Sequence, residues 1–148
     1  WQESPQAVPV NLRLGDVMPM LSSATGRCFA AFLGHGVGSD QAKVLVEHEM
    51  ALAKDTGRKD VPTNAKELQA LIAETREHGL GRVNNVLLPG ISGFCAPVFD
   101  ADGHLALGVV SLGSSATFNV AWDGPLATAL QRMTRQLSAD LGWSGAAS

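Results

Sequence analysis

The chain has 148 residues, 45% of them hydrophobic and 17% charged, and its 11 basic and 14 acidic side chains give a net charge of −3. This length fits a single domain with its own core over residues 1–148, and the apolar content excludes a disordered protein. The short apolar runs exclude a membrane span, which needs roughly 20 residues, and the acidic balance with scattered basic residues argues against a DNA-binding surface.

The first residues predict a strand and a helix. Apolar and polar side chains alternate along residues 6–14, as they do in a strand, and Gly15-Asp16 turns the chain. The serines at 22 and 23 are N-cap residues for a helix that runs to about Leu33. Residues 34–38 are rich in glycine, but they follow a helix and lack a Gly-Lys-Ser/Thr ending. They therefore predict a connection between helices and not a phosphate-binding loop.

Two more helices follow. Ser39-Asp40 caps a helix that is expected to run to about Lys54, although its apolar stripe is weak. The third helix begins after Asn64 and ends at His78-Gly79, and its apolar residues recur at spacings of three, four and seven.

The next part of the chain predicts three strands. Residues 82–88 form the first strand, and residues 89–93 form a loop. Residues 94–99 and 105–112 are the strands of a hairpin, because the residues between them, 100–103, read Asp-Ala-Asp-Gly and favour a turn. The strands are therefore expected to pair antiparallel.

A long amphipathic helix closes the domain. It begins near Pro125 and ends before Gly142, and its apolar face carries Leu126, Leu130, Met133, Leu137 and Leu141. Residues 143–148 are expected to form a flexible tail. The order of elements predicts an α+β fold with an antiparallel sheet flanked by helices. Three or four strands are few for this much helix, so we expect the chain to lack one or two N-terminal strands.

The two cysteines raise an enzyme hypothesis. Cys28 lies in the first turns of a helix, where the helix dipole lowers the pKa of a thiol, and any of the four histidines could be its base. The alternative is that Cys28 and Cys95 are both core residues, which is common for cysteine. Their spacing matches no disulfide framework, which indicates a reducing compartment, and we expect the cytoplasm.

No metal site and no cofactor are expected. The four histidines are widely separated, and none lies four residues from another histidine or from a cysteine, the spacing that brings two ligands together on a helix. His78 is interpreted as a helix C-terminal residue, and His104 as a residue of the hairpin turn.

The start of the first helix is a candidate anion site. The small residues 23–26 leave the backbone N–H groups of the first turn approachable, and the helix dipole favours a negative charge there. The alternative is that Gly26 and Ala30 only allow another element to pack closely. The residues favour the two interpretations equally.

Four segments together resemble a known family. Residues 18–33, MPMLSSATGRCFAAFL, resemble the LPLHATASGKALLAFL segment of isocitrate lyase regulator (IclR) family transcription factors. Residues 71–79 resemble that family's helix that ends in IRERGY, and residues 89–103, PGISGFCAPVFDADG, resemble its PGVRCIAAPVFDADG segment. Residues 105–113 resemble the strand that follows it. The resemblance covers nearly the whole chain in the right order.

The resemblance implies a GAF-like effector-binding domain with a ligand pocket on one face of a curved antiparallel sheet. It implies no catalysis, a small-molecule effector as ligand, and assembly into a homodimer or homotetramer. The family binds DNA through an N-terminal helix-turn-helix domain. The resemblance leads us to expect that this domain, and the first helix and strand of the effector-binding domain, are missing from the chain. We accordingly expect DNA contact only through such a domain and no contact with membranes.

Carried over by position, the resemblance implies a pocket built from three pieces. The helix start would offer backbone N–H groups to a ligand carboxylate, the segment around residues 90–94 would form a wall, and alternate residues of the last strand would form the floor. The ligand-binding residues expected are Met20, Ala24, Thr25, Gly26, Val83, Gly93, Phe94, Val110 and Leu112.

The expected pocket differs from those of the family's binders of small organic acids. Those proteins place a carboxylate, a thiol and hydroxyls where this chain has Val83, Gly93, Val110 and Leu112. Apolar walls do not compensate for burying a hydroxyl-rich acid, since each unpaired polar group costs about 1–3 kcal/mol. Gly93 and Gly108 are expected to leave room, so we predict a larger, partly apolar carboxylate.

Three hypotheses remain open from the sequence. The first is an effector-sensing and oligomerisation domain of a transcriptional regulator. The second is a small cysteine-dependent enzyme of GAF-like fold. The third is a pure dimerisation module, in which apolar residues simply close the pocket.

Overall fold

The structure, a computed structural model, describes residues 18–34 and 38–145. Within these ranges the chain forms four helices and three strands, in the order α1 (Ala24–Phe32), α2 (Ser39–Asp55), α3 (Ala65–His78), β1 (Gly81–Asn84), β2 (Ile91–Phe99), β3 (Leu105–Ser114) and α4 (Pro125–Asp140). The α+β fold class is confirmed. The predicted strand at residues 6–14 and the turn at Gly15-Asp16 lie outside the described residues.

The strands form an antiparallel sheet in the order β1-β2-β3. The predicted hairpin turn is confirmed, because the Gly103 N–H donates to the Asp100 carbonyl at 3.0 Å and Gly103 adopts a left-handed φ of 80°. Val83, Gly93 and Leu112 lie side by side in the three strands. Side chains alternate between the faces of a sheet, so these three positions share one face.

Helices pack on both faces of the sheet. α1 covers the face that carries Val83 and Cys95, and α4 covers the opposite face, which carries Phe94 and Ala96. α2 and α3 pack beside α1, around the buried side chain of Leu21. Among the helices that the structure describes, none has both the length and the apolar character needed to cross a membrane.

Side chains set the starts of α1 and α3, as predicted. The Ser23 hydroxyl accepts a hydrogen bond from the Gly26 N–H at 2.9 Å, and the Asn64 side chain accepts one from the Glu67 N–H at 2.9 Å. The Glu67 carboxylate in turn accepts from the Thr63 N–H at 2.8 Å, which lowers the pKa of Glu67. Each cap satisfies an N–H group that has no acceptor within its helix.

Three predicted boundaries are wrong. β2 begins at Ile91, inside the predicted loop of residues 89–93, because Ile91, Ser92 and Gly93 already pair with β3. α2 is capped by Gly38, whose φ is 86°, so Ser39 is the first helical residue and not the cap. β1 ends at Asn84, four residues before the predicted end, because Asn85 adopts a left-handed φ of 59° and turns the chain out of the strand. The loop therefore occupies residues 85–90.

The buried face of α4 is not the one that its leucines predict. Met133, Leu137 and Leu141 are 45%, 39% and 48% exposed, whereas the buried residues are Ala127, Leu130, Thr134 and Ser138. Small side chains let the helix approach the sheet closely, and the Ser138 hydroxyl accepts from the Phe99 N–H at 2.9 Å. Of the predicted face, Leu130 alone is buried, so a row of large apolar side chains faces outward.

The contacts of the domain extend into the predicted tail. The Trp143 ring packs against the Phe99 ring with centroids 5.1 Å apart, and the Trp143 N–H donates to the Ser138 carbonyl at 2.9 Å. Trp143 is thus attached to β2 and α4. Residues 146–148 lie outside the described residues.

Gly26 allows the turn that precedes α1 to lie against the helix. A Cβ at this position would overlap the carbonyl oxygen of Pro19 and the backbone of Met20. We expect Gly26→Ala to lower the free energy of unfolding by about 1–3 kcal/mol, despite the higher helix propensity of alanine. Urea denaturation measures this loss. Thr25→Ala, one residue away, should change stability by less than about 0.5 kcal/mol, and equal losses in the two variants would contradict the close packing.

Candidate functional site

A small cavity lies between the N-terminus of α1 and the sheet face that α1 covers. The residues that line it are Met18, Ser23, Ala24, Thr25, Val83, Leu87, Leu88, Ile91, Val110 and Leu112. They leave about 10 Å³ in which the centre of a water molecule can lie, which is room for about one water. The cavity is apolar and almost filled by its own walls.

Five of the nine expected binding residues line this cavity: Ala24, Thr25, Val83, Val110 and Leu112. Ala24 and Thr25 come from the first turn of α1, and the other three come from β1 and β3. Val83 and Leu112 both lie opposite Gly93 of the central strand, so the sheet register brings them to the same end of the face.

The structure places three of the other expected residues away from the cavity. Met20 packs against the core between α2 and α3. Gly26 faces the backbone of Pro19 and Met20. Phe94 is fully buried on the opposite face of the sheet, below α4, because it is next to Gly93 in the strand and alternate residues point to opposite faces.

Gly93 lies on the cavity side of the sheet but leaves no free space. A Cβ on Gly93 would overlap the Leu112 side chain, and a Cβ on Gly108 would lie 2.7 Å from the Cys95 sulfur. The expectation that these glycines leave room is therefore wrong. Leu112 and Cys95 already fill the space above them.

The loop after β1 forms a wall that the sequence interpretation missed. The Asn85 N–H donates to the Ile91 carbonyl at 3.1 Å, and the Asn85 side-chain oxygen accepts from the Gly90 N–H at 2.8 Å. These bonds fold the loop so that Leu87 and Leu88 line the cavity. The sequence pattern of residues 82–88 predicted that Leu87 and Leu88 belong to a strand. The signal that could have revealed the loop is Asn85 itself, since asparagine tolerates the left-handed conformation.

The first turn of α1 supports both interpretations of its small residues. The Gly26 N–H is used by the Ser23 cap, and the Ser23 hydroxyl also donates to the Pro19 carbonyl at 2.6 Å. The N–H groups of Ala24 and Thr25 belong to the helix positions that have no acceptor within the helix. Gly26 thus serves close packing, while Ala24 and Thr25 bring the N-terminal end of α1 to the cavity wall.

Cys28 has an environment opposite to that of a catalytic thiol. Cys28 and Cys95 are both fully buried, and they pack together between α1 and the sheet. A hydrogen bond with the Cys95 thiol and burial away from water raise the pKa of the Cys28 thiol. A nucleophilic cysteine needs a lowered pKa and access to substrate, so these features disfavour the enzyme hypothesis.

Asp100, Asp102 and His104 bring their side chains together at the β2–β3 turn. Their possible ligand atoms lie within 4.8 Å of one another at the surface. The Asp100 carboxylate accepts from the N–H groups of Asp102 and His104 at 2.9 and 3.0 Å, as an aspartate does in an ordinary turn. Turn formation accounts for this cluster.

The comparison with protein families identifies the domain. The family described as bacterial transcriptional regulator IclR, C-terminal, matches residues 2–139. The chain belongs to the IclR family. It is the C-terminal, effector-binding domain of a transcriptional regulator of this family. No curated protein is significantly similar to it in sequence.

Solved structures of IclR-family and related regulators share the fold. The crystal structure of Pseudomonas aeruginosa HmgR is 32% identical in sequence and superposes with a TM-score of 0.81. The match covers 97% of this chain and 54% of the HmgR chain. Thermotoga maritima IclR is 23% identical with a TM-score of 0.76, and the match covers 96% and 55% of the two chains. The Agobacterium tumefaciens repressor BlcR is 18% identical with a TM-score of 0.63, over 90% and 51% of the chains. The IclR domain described here spans about half the length of these structures.

The raised pKa of Cys28 predicts that its thiol reacts slowly with alkylating reagents. At neutral pH the group stays protonated and buried, so iodoacetamide should modify Cys28 and Cys95 only as fast as the domain opens. The measurement is the alkylation rate of each cysteine by mass spectrometry, in buffer and in urea. Rapid modification of Cys28 in the folded domain at neutral pH would contradict this environment.

Proposed function

We propose that this domain is the part of a DNA-binding regulator that binds a partly apolar carboxylate effector, and that it also contributes to oligomerisation. The observation that carries the proposal is the position of the cavity, whose apolar walls end at the first turn of α1. A carboxylate could accept hydrogen bonds from the N–H groups of Ala24 and Thr25, while the rest of the ligand contacts Val83, Val110 and Leu112.

The apolar walls select against small hydroxylated acids. Val83, Val110 and Leu112 offer no hydrogen bond to a ligand hydroxyl, and Ser111 points to the other face because it pairs with Phe94. Burying an unpaired hydroxyl costs about 1–3 kcal/mol. An aliphatic or aromatic monocarboxylate avoids this cost and gains from burying its apolar part.

The small volume of the cavity requires a local rearrangement on binding. The cavity holds about one water, so an effector of several carbon atoms needs additional space. The Leu112 side chain is half-buried and lies over Gly93, where a different rotamer would open the floor. The loop of residues 85–90 forms the facing wall and is the second part of the site that would move.

The same small volume favours a second candidate function. A cavity filled by its own walls is what a pure dimerisation module would have, with apolar residues used only for packing. In that case no small carboxylate would stabilise the domain. A stability measurement therefore distinguishes the two functions.

The partners proposed for the intact regulator follow from its family. A helix-turn-helix domain outside this chain would contact DNA, the protein would act in the cytoplasm, and the effector domain would assemble as a homodimer or homotetramer. The row of exposed side chains on α4, Met133, Leu137 and Leu141, supports a role in assembly, because these residues recur every four positions on one side of the helix.

Thermal unfolding with and without carboxylates tests the sensing function. We expect hexanoate or benzoate at millimolar concentration to raise Tm, since a ligand at 100 times its Kd adds about 2.7 kcal/mol of stability, and we expect glyoxylate and pyruvate to have little effect. Leu112→Ser should reverse this preference, because it opens the floor and supplies a hydroxyl. Leu107→Ser is the matched control, since Leu107 is in the same strand but faces the other side and is 47% exposed.

Two results would contradict the proposed ligand class. Stabilisation of the unmodified domain by glyoxylate or pyruvate would show that the walls accept hydroxylated or keto acids. The absence of stabilisation by any carboxylate would favour the dimerisation module.

The assembly function predicts a specific effect of charge on α4. Leu137→Lys introduces a charge into the exposed apolar row, so we expect it to reduce the dimer or tetramer fraction at least tenfold at a fixed protein concentration, since burying an unpaired charge is unfavourable. Sedimentation velocity measures the fractions. Leu52→Lys is the control, because Leu52 is also an exposed leucine, at 56%, but lies on α2. An oligomer that survives in Leu137→Lys but dissociates in Leu52→Lys would place the interface on α2.

A further inference from the structure

Charged side chains of both signs hold the turn that precedes α1. The two oxygens of the Glu49 carboxylate, from α2, accept from the Leu21 N–H at 2.9 Å and from the Ser22 hydroxyl at 2.7 Å. The Arg27 guanidinium donates to the Leu21 carbonyl at 2.8 Å and to the Arg82 carbonyl at 2.8 Å, and the Arg58 guanidinium donates to the Ser22 hydroxyl at 3.4 Å. Leu21 and Ser22 are buried, and the Glu49 side chain that binds them is half-buried.

The position of Glu49 matters because it lies at the positive end of a helix. Its carboxylate binds groups two and three residues before Ala24, the first residue of α1, and the same end of α1 lines the cavity. A negative charge at this place offsets part of the positive potential of the helix N-terminus. It therefore reduces the attraction of this end of α1 for a second anion. Arg27 contributes the opposite charge, and Glu49 is among the acidic groups that raise the pKa of Arg27 against the lowering effect of its burial.

From this arrangement we infer that Glu49 is a specificity-determining residue, whose charge lowers the affinity of the α1 end of the cavity for anionic groups relative to neutral ones. This inference rests on the proposed function, because it concerns the same cavity. With Glu49 ionised, its negative charge beside the Leu21 N–H and the Ser22 hydroxyl weakens the attraction of the first turn of α1 for an anionic group. Without the charge on Glu49 this effect would be lost, while the negative charges of Glu74 and Asp60 would still act on the Arg27 guanidinium.

Glutamine at position 49 separates the charge from the hydrogen bonds. Its side-chain oxygen can accept from the Leu21 N–H, and its amide group can donate to the Ser22 hydroxyl oxygen, so the turn keeps both contacts. Alanine at position 49 removes both contacts together with the charge. Glu47→Gln is the matched control, because Glu47 is an exposed carboxylate of the same helix and its replacement changes the net charge equally.

The experiment compares benzoate with benzamide, which has nearly the same shape but no charge. We expect Glu49→Gln to tighten benzoate binding about threefold to tenfold and to change benzamide binding less than about twofold, as Kd values from NMR titration would show. Glu47→Gln should change neither. Glu49→Ala should weaken both probes and accelerate hydrogen exchange of the Leu21 amide, which reports loss of the hydrogen bonds and not of the charge.

The outcomes separate this inference from the proposed function. If the unmodified domain binds benzoate and Glu49→Gln leaves the ratio of benzoate to benzamide affinity unchanged, the specificity role of Glu49 is wrong and the proposed function stands. If neither probe binds to the unmodified domain or to Glu49→Gln, both are overturned. An equal change of the ratio in Glu47→Gln would show a general effect of net charge and would also overturn the role of Glu49.

Discussion

The direct contact between the backbone of α1 and the backbone of β1 determines where the candidate site forms. A Cβ on Gly81 would overlap the Ala24 carbonyl oxygen and would come within 2.8 Å of the Cys28 nitrogen, so the helix can lie this close only because position 81 is glycine. Gly26 does the same for the turn that precedes the helix. Together the two glycines bring the first turn of α1 onto the sheet face that carries Val83. The cavity is the space left between this turn and the sheet.

The parts of the fold that depend on local signals could be predicted from the sequence. The Asn64 cap and the Gly79 end of α3, and the glycine turn between β2 and β3, each depend on residues within a few positions of one another. The predicted first strand is too long, because one residue, Asn85, ends β1 by its left-handed backbone conformation. The buried face of α4 was missed because shape outweighed hydrophobicity: Ala127 and Ser138 fit closely against the sheet where leucine would not.

The candidate site was predictable only in part, for a related reason. The family resemblance and strand alternation identified Val83, Val110 and Leu112, and the same alternation could have shown that Phe94, next to Gly93, faces away. The space above Gly93 could not be predicted, because the residue that fills it, Leu112, comes from another strand and is brought there by the register. Whether a glycine leaves a cavity depends on its neighbours in space, which a single sequence does not specify.

A nearly filled cavity is consistent with sensing when the energetics of the two states are considered. A ligand shifts a conformational equilibrium only by its difference in affinity for the two states. A preformed open pocket would bind the effector without any change in the surrounding packing. Here the apolar part of the ligand would have to replace the contact of Leu112 with Gly93, and the displaced side chain and the loop of residues 85–90 would have to repack. Binding as proposed would thereby be coupled to the arrangement of β3 and of the loop, and that coupling is what a regulator needs from its effector domain.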